Sequence, residues 1–88
     1  MEKIKVYTSY NENSNSFGYR NFTVEDSNIE VGDYYNHEEV KTVEEVTPDI
    51  RSLSLLDEYR LIHITTTING DYDLDNDDFC EYYLAIAH

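Results

Sequence analysis

One cysteine, Cys80, cannot close a disulfide within the chain, and that scarcity points to a reducing compartment. Three glycines are too few to build a phosphate-cradling loop or a dinucleotide fingerprint, and nothing matches a nucleophile elbow. No run approaches the roughly 20 apolar residues of a membrane-crossing helix. The opening stretch turns polar again at Thr8, too soon for the apolar segment of a secretory signal. Three histidines, His37, His63 and His88, lie far apart and have no cysteine at ligand spacing, so a zinc site is not expected. The largest deficit is in positive charge: six Lys and Arg stand against nineteen Asp and Glu, a formal net charge of −13. Nucleic acid and anionic membranes would both repel such a chain, so neither is expected as a direct partner.

What is present is one small domain. A chain of 88 residues buries only about 60–65% of its unfolded surface, so its core is thin. Self-repulsion at this net charge lowers stability that a thin core can hardly spare. Disorder fits poorly, because nine Tyr and three Phe make 14% of the chain aromatic.

Ile4, Val6 and Thr8 alternate with polar neighbours and predict a strand over 3–9. The polar run 11–16 reads as a turn, and a second strand is expected over 17–25 with a bulge near Gly18. Ile29 and Val31 suggest a short third strand. Asn36 followed by Glu39 looks like a helix start, with Val40, Val43 and Val46 on one face. Thr47-Pro48 predicts a second short helix over 48–57 that buries Ile50, Leu53 and Leu56. Residues 59–68 give the clearest strand, which should be central, and Asn69-Gly70 the clearest turn. Asp71–Asp75 alternates acid and apolar residues as a half-buried strand arm would, and 76–78 is a further turn. Cys80–Ala87 reads as a last strand; the competing reading is a helix that begins at Asn76 and buries Phe79, Tyr82, Tyr83 and Ile86. The expected class is α+β: an antiparallel sheet of four to five strands with one or two short helices packed on one face.

Between Asp71 and Glu81 lie six carboxylates and no basic residue. On an extended arm Asp71, Asp73 and Asp75 would point the same way, roughly 6.6 Å apart. That spacing is of the order of the separation of phosphates along a strand. Asp77, Asp78 and Glu81 extend this group, while Glu38, Glu39, Glu44 and Glu45 form a second one, with Tyr34, Tyr35 and Tyr72 beside them. Tyrosine brings contact area at low entropic cost, which suits an interface. The same segment has a weaker metal reading, since Asp71, Asp73, Asp75 and Asp77 resemble the opening of a calcium loop. It departs at Asn76, where glycine is required, and at Tyr82, where a bidentate Glu is required. Cys80 is read as a buried structural thiol, and neither catalysis nor a cofactor is expected.

In length, charge, α+β character and carboxylates clustered with tyrosines, the chain resembles the small acidic inhibitors of phages and mobile elements. These include DNA-mimicking anti-restriction and anti-CRISPR proteins and uracil-DNA glycosylase inhibitors. The resemblance implies a cytoplasmic protein of a bacterial host cell, monomeric or a small homo-oligomer. Its partner would be a basic nucleic-acid-binding protein, a nuclease or a CRISPR or restriction effector, whose groove the carboxylates fill in place of phosphates. Three alternatives stay open: an immunity protein against a toxin nuclease, a calcium-binding module, and an assembly subunit that docks through Tyr82, Tyr83 and Leu84.

Overall fold

The computed structural model describes residues 2–11 and 16–88. Among them six strands form one sheet: β1 (Lys3–Asn11), β2 (Ser16–Glu25), β3 (Tyr34–Tyr35), β4 (Glu38–Glu45), β5 (Tyr59–Thr66) and β6 (Cys80–Ala87). Their order is β1-β2-β6-β5-β4-β3. The turn expected over 11–16 falls largely outside the described residues. Among the described residues no helix is long and apolar enough to cross a membrane.

This architecture corrects the expected class in three ways. There are six strands rather than four or five. The sheet is mixed, because β2 runs parallel to β6 while its other pairs are antiparallel. Among the described residues helix contributes one 3₁₀ segment, Ile50–Asp57, between β4 and β5.

Residues 36–45, expected as helix, form a hairpin turn followed by β4. Asn36 and His37 both take positive φ, 51° and 68°, and join β3 to β4 in a two-residue turn. Asn adopts this conformation readily. The valine spacing that suggested a helix comes from a bulge: the β4–β5 register shifts between Val40 and Thr42. The inserted residue brings Val40 and Val43 onto one face, and strand alternation then sends Val46 to the other. Three β-branched residues favour the strand as well. The expected bulge in β2 lies in β1 instead, where the register shift makes Thr8 the extra residue.

Strand alternation sends β5 and β6 side chains to two cores on opposite faces. On one face Ile62, Ile64, Leu84 and Ile86 pack with Val40 and Ile29. On the other, Leu61 and Ala85 pack with Val6 and Phe22. Strands 5 and 6 are therefore covered on both sides, as hydrophobic central strands require. The segment around Ile29 was expected as a strand. It has no ladder of its own and lies over the first core as a loop.

The 3₁₀ helix is rotated opposite to expectation. Ile50, Leu53 and Leu56 are exposed, Ile50 by 79%, while Ser52 and Leu55 turn inward. Two attachments set this rotation. Asp49, the helix cap, donates its N–H to the Tyr7 carbonyl at 2.8 Å, and the Tyr7 N–H donates to Ser52 Oγ at 2.9 Å. The chain leaving β4 thus meets the far edge strand β1. Ser52 is 4% exposed, so Ser52→Ala strands the Tyr7 amide and should lower stability by about 1–3 kcal/mol. Urea denaturation of the variant checks this: an unchanged midpoint would mean that another group satisfies the amide.

Candidate functional site

Two tight turns between β5 and β6 carry half of the expected acidic residues, Asp71, Asp73, Asp75, Asp77 and Asp78. In the first, Asn69 and Gly70 take φ of 51° and 83°, and Ile68 and Asp71 exchange backbone hydrogen bonds at 2.8 and 2.9 Å. In the second, Asp73 and Asp78 exchange bonds at 3.0 and 2.8 Å around residues 74–77. The Asp73 carboxylate accepts from the Asp75 N–H at 3.0 Å, and from the backbone and side-chain amides of Asn76 at 3.4 and 2.7 Å. Here the strand arm expected over 71–75 does not form. Asp and Asn side chains bond neighbouring backbone, and that preference outcompetes a strand with no partner to pair with. Asp71, Asp73 and Asp75 are consequently not a row at strand spacing: Asp73 folds into its own turn, and Asp71, Asp75, Asp77 and Asp78 are exposed around it.

Glu38 reaches this loop from β4. Its carboxylate accepts from the Asn69 N–H at 2.8 Å, the Gly70 N–H at 3.3 Å and the Thr67 hydroxyl. Glu39 follows, its carbonyl accepting from the Thr67 N–H at 3.0 Å and its carboxylate pairing with Lys41 at 3.4 Å. Tyr34 stands opposite Glu39 across the β3–β4 pair and is 73% exposed. Tyr72 fastens the loop: its hydroxyl meets Thr65 Oγ1 at 2.8 Å and its ring packs on Phe79. Glu81 Oε2 lies within hydrogen-bond distance of His63 Nε2 at 2.9 Å, and the His63 ring lies on Tyr83.

Strand alternation divides the second expected group. Glu44 shares the face of His63, 3.9 Å from its Nδ1. Glu45 points to the opposite face and pairs with Arg60 at 2.6 Å, which also reaches Glu30 and Asn28. Tyr35 is on that face too, half-buried, donating to Glu25 at 2.7 Å and edge-on to Tyr82. Burial, reinforced by Glu25, pushes its hydroxyl well above the usual tyrosine range. Tyr35 and Glu45 thus hold the fold together and stand apart from the acidic loop.

Sequence reasoning missed the apolar residues at this end. Ile68, flanking the first turn, and Leu74, within the second, are exposed, Leu74 by 59%. The Asn69-Gly70 signal could have placed Ile68 there. Charge is also partitioned along the chain. Seventeen of the nineteen acidic residues follow Val24, against three of the six basic ones. Lys5 and Arg20, on β1 and β2, lie over the rings of Tyr19 and Tyr83.

The weaker, calcium reading of Asp71, Asp73, Asp75 and Asp77 finds no grouping: among the described residues no three Asp, Glu, His or Cys side chains are grouped to hold a metal ion. No cavity opens among the described residues. Cys80, expected to be buried, is half-exposed at the start of β6.

Hydrogen bonding, from Thr67 first for Glu38 and from Asn76 first for Asp73, holds both carboxyls below their ordinary values of 4.5 and 3.8. A depressed folded pKa means that the stabilisation is complete above the unfolded pKa and is lost as pH falls through the folded one. The contribution of these two carboxyls to the thermal unfolding temperature, read as the difference between parent and variants, should therefore fall on acidification below about pH 4.5. Glu38→Gln and Asp73→Asn should each flatten that fall. Parallel curves for variants and parent would contradict it.

Compared with protein-family models, curated proteins and solved structures, the chain matches none.

Proposed function

We propose that the protein is an inhibitor that seats its acidic loop end in the basic groove of a nucleic-acid-handling enzyme. The observation that carries this reading is the composition of the β5–β6 loop: exposed Asp71, Asp75, Asp77 and Asp78 share it with exposed Ile68 and Leu74. A purely solvated face has no need of exposed apolar side chains, whereas an interface centre combines apolar contact with a charged rim. The turns are held by Glu38, Asp73 and Tyr72, so the loop is largely organised before it binds, which lowers the entropic cost of association. Mimicry here rests on charge density presented by two tight turns, with no regular phosphate-like row.

The target's groove is lined with Lys and Arg, since only such a surface repays the approach of a chain at −13. Steering by opposite charge makes association fast and sensitive to salt. The reading puts the protein in a bacterial cytoplasm, acting as a monomer, because two acidic ends repel one another. It is tested by capture from bacterial lysate on immobilised protein, elution in a salt gradient and identification of what is released. Recovery of a basic nucleic-acid enzyme whose activity the purified protein blocks supports the reading. Recovery of partners insensitive to salt and unrelated to nucleic acid contradicts it.

A further inference from the structure

The outer edge of β4 is open over part of its length, and its surroundings select what can occupy it. In an antiparallel ladder, alternate residues turn both backbone groups toward the partner strand and the residues between turn theirs away. The Val46 N–H donates to the Leu61 carbonyl at 2.9 Å, which fixes the alternation. With Glu44 opposite His63 and Thr42 opposite Thr65 as the bonded pairs, Val43 and Glu45 turn their N–H and C=O groups outward. Farther along, Val40 also faces outward, and its groups are taken by the Gly32 N–H at 3.0 Å and the Asp33 carbonyl at 2.8 Å. Among the described residues no backbone group pairs with the outward side of Val43 or Glu45.

We infer that this edge accepts an extended, basic segment of the partner protein as an added strand. Backbone pairing would supply affinity, and side chains on alternate positions would supply selectivity. On one face the added strand would lie beside Val43, which packs on the core containing Ile64 and Tyr82. On the other it would lie beside Glu44, 74% exposed, with Glu81 close by across His63. Glu45 already holds Arg60. The fitting segment therefore alternates an apolar and a basic side chain. Charges flanking an edge normally guard against pairing with another copy, and at −13 a second copy is the occupant this edge rejects most strongly. The inference goes beyond the loop-end reading and is tested apart from it.

The probe is a capped hexapeptide of alternating lysine and valine, titrated into ¹⁵N-labelled full-length protein at low salt. Its control is the same peptide N-methylated at alternate residues, with equal charge but no donors for one edge. The parent peptide should shift the amides of Val43 and Glu45 and slow their hydrogen exchange. The methylated peptide should bind at least about tenfold more weakly, the loss of two or so hydrogen bonds. Equal binding of both peptides, shifts confined to residues 68–81, or no binding at all would each overturn strand addition. Those results would leave capture by the acidic loop standing on its own test.

Discussion

Changing Asp71, Asp75, Asp77 and Asp78 together to asparagine will weaken binding of the captured partner by about 100-fold or more, with the fold intact. The magnitude follows from modest pair energies: at about 0.6–1 kcal/mol for each charge, four pairs amount to roughly 2.5–4 kcal/mol. Any pair that is fully desolvated in the complex contributes more. Asp73 and Glu38 are left in place because their carboxylates hold the two turns. Asparagine suits position 77, where φ is 56°, and loss of four repelling charges favours the compact state. The variant should accordingly melt no lower than the parent. Its counterpart, with Glu2, Asp26, Asp57 and Glu58 neutralised, carries the same net charge with the loop end untouched and should bind nearly as the parent does. Equal weakening in both variants would mean that only net charge matters and that the loop is not the contact.

Phe22→Ala will bring the protein to the limit of folding. Its ring is fully buried among Val6, Leu61 and Ala85 and lies edge-on to Tyr83 at 5.4 Å. Emptying such a site costs about 3–5 kcal/mol. An 88-residue domain holds in total only about 4–13 kcal/mol. At about 4–8 °C for each kcal/mol the melting temperature should drop by at least ~12 °C. Ile50→Ala, on the exposed side of the 3₁₀ helix, should change stability by no more than about 0.5 kcal/mol. Circular dichroism melts of the two variants separate these outcomes. A large loss at Ile50 or a small one at Phe22 would refute the assignment of the second core.

Legibility in the sequence tracked how local the determining interactions are. The alternation of Ile62, Ile64 and Thr66 identified β5, and Asn69-Gly70 identified its turn, because both signals lie within a few residues. The ambiguity over Cys80–Ala87 is settled as a strand by its pairing with β5 along its whole length, which no local pattern reveals. Parallel pairing of Thr23–Glu25 with Leu84–Ile86 joins segments about sixty residues apart and left no local trace. Residues 38–45 were misread because one inserted residue turned a period of two into an apparent spacing of three. At the site, the acidic loop was identified by composition, while its shape depended on where Asp73 and Glu38 spend their hydrogen bonds. Assigning Tyr35 and Glu45 to structural roles needed knowledge of which strand face each occupies.

Competition between the protein and nucleic acid for the captured enzyme tests the central claim most directly. A fluorescent oligonucleotide bound to the enzyme is titrated with the purified protein at constant salt, following anisotropy, and the species present are resolved by size. Displacement of the oligonucleotide by the parent protein, with none by the Asp71, Asp75, Asp77 and Asp78 variant at the same concentration, is the predicted result. A stable ternary complex of enzyme, oligonucleotide and protein would contradict occupation of the groove.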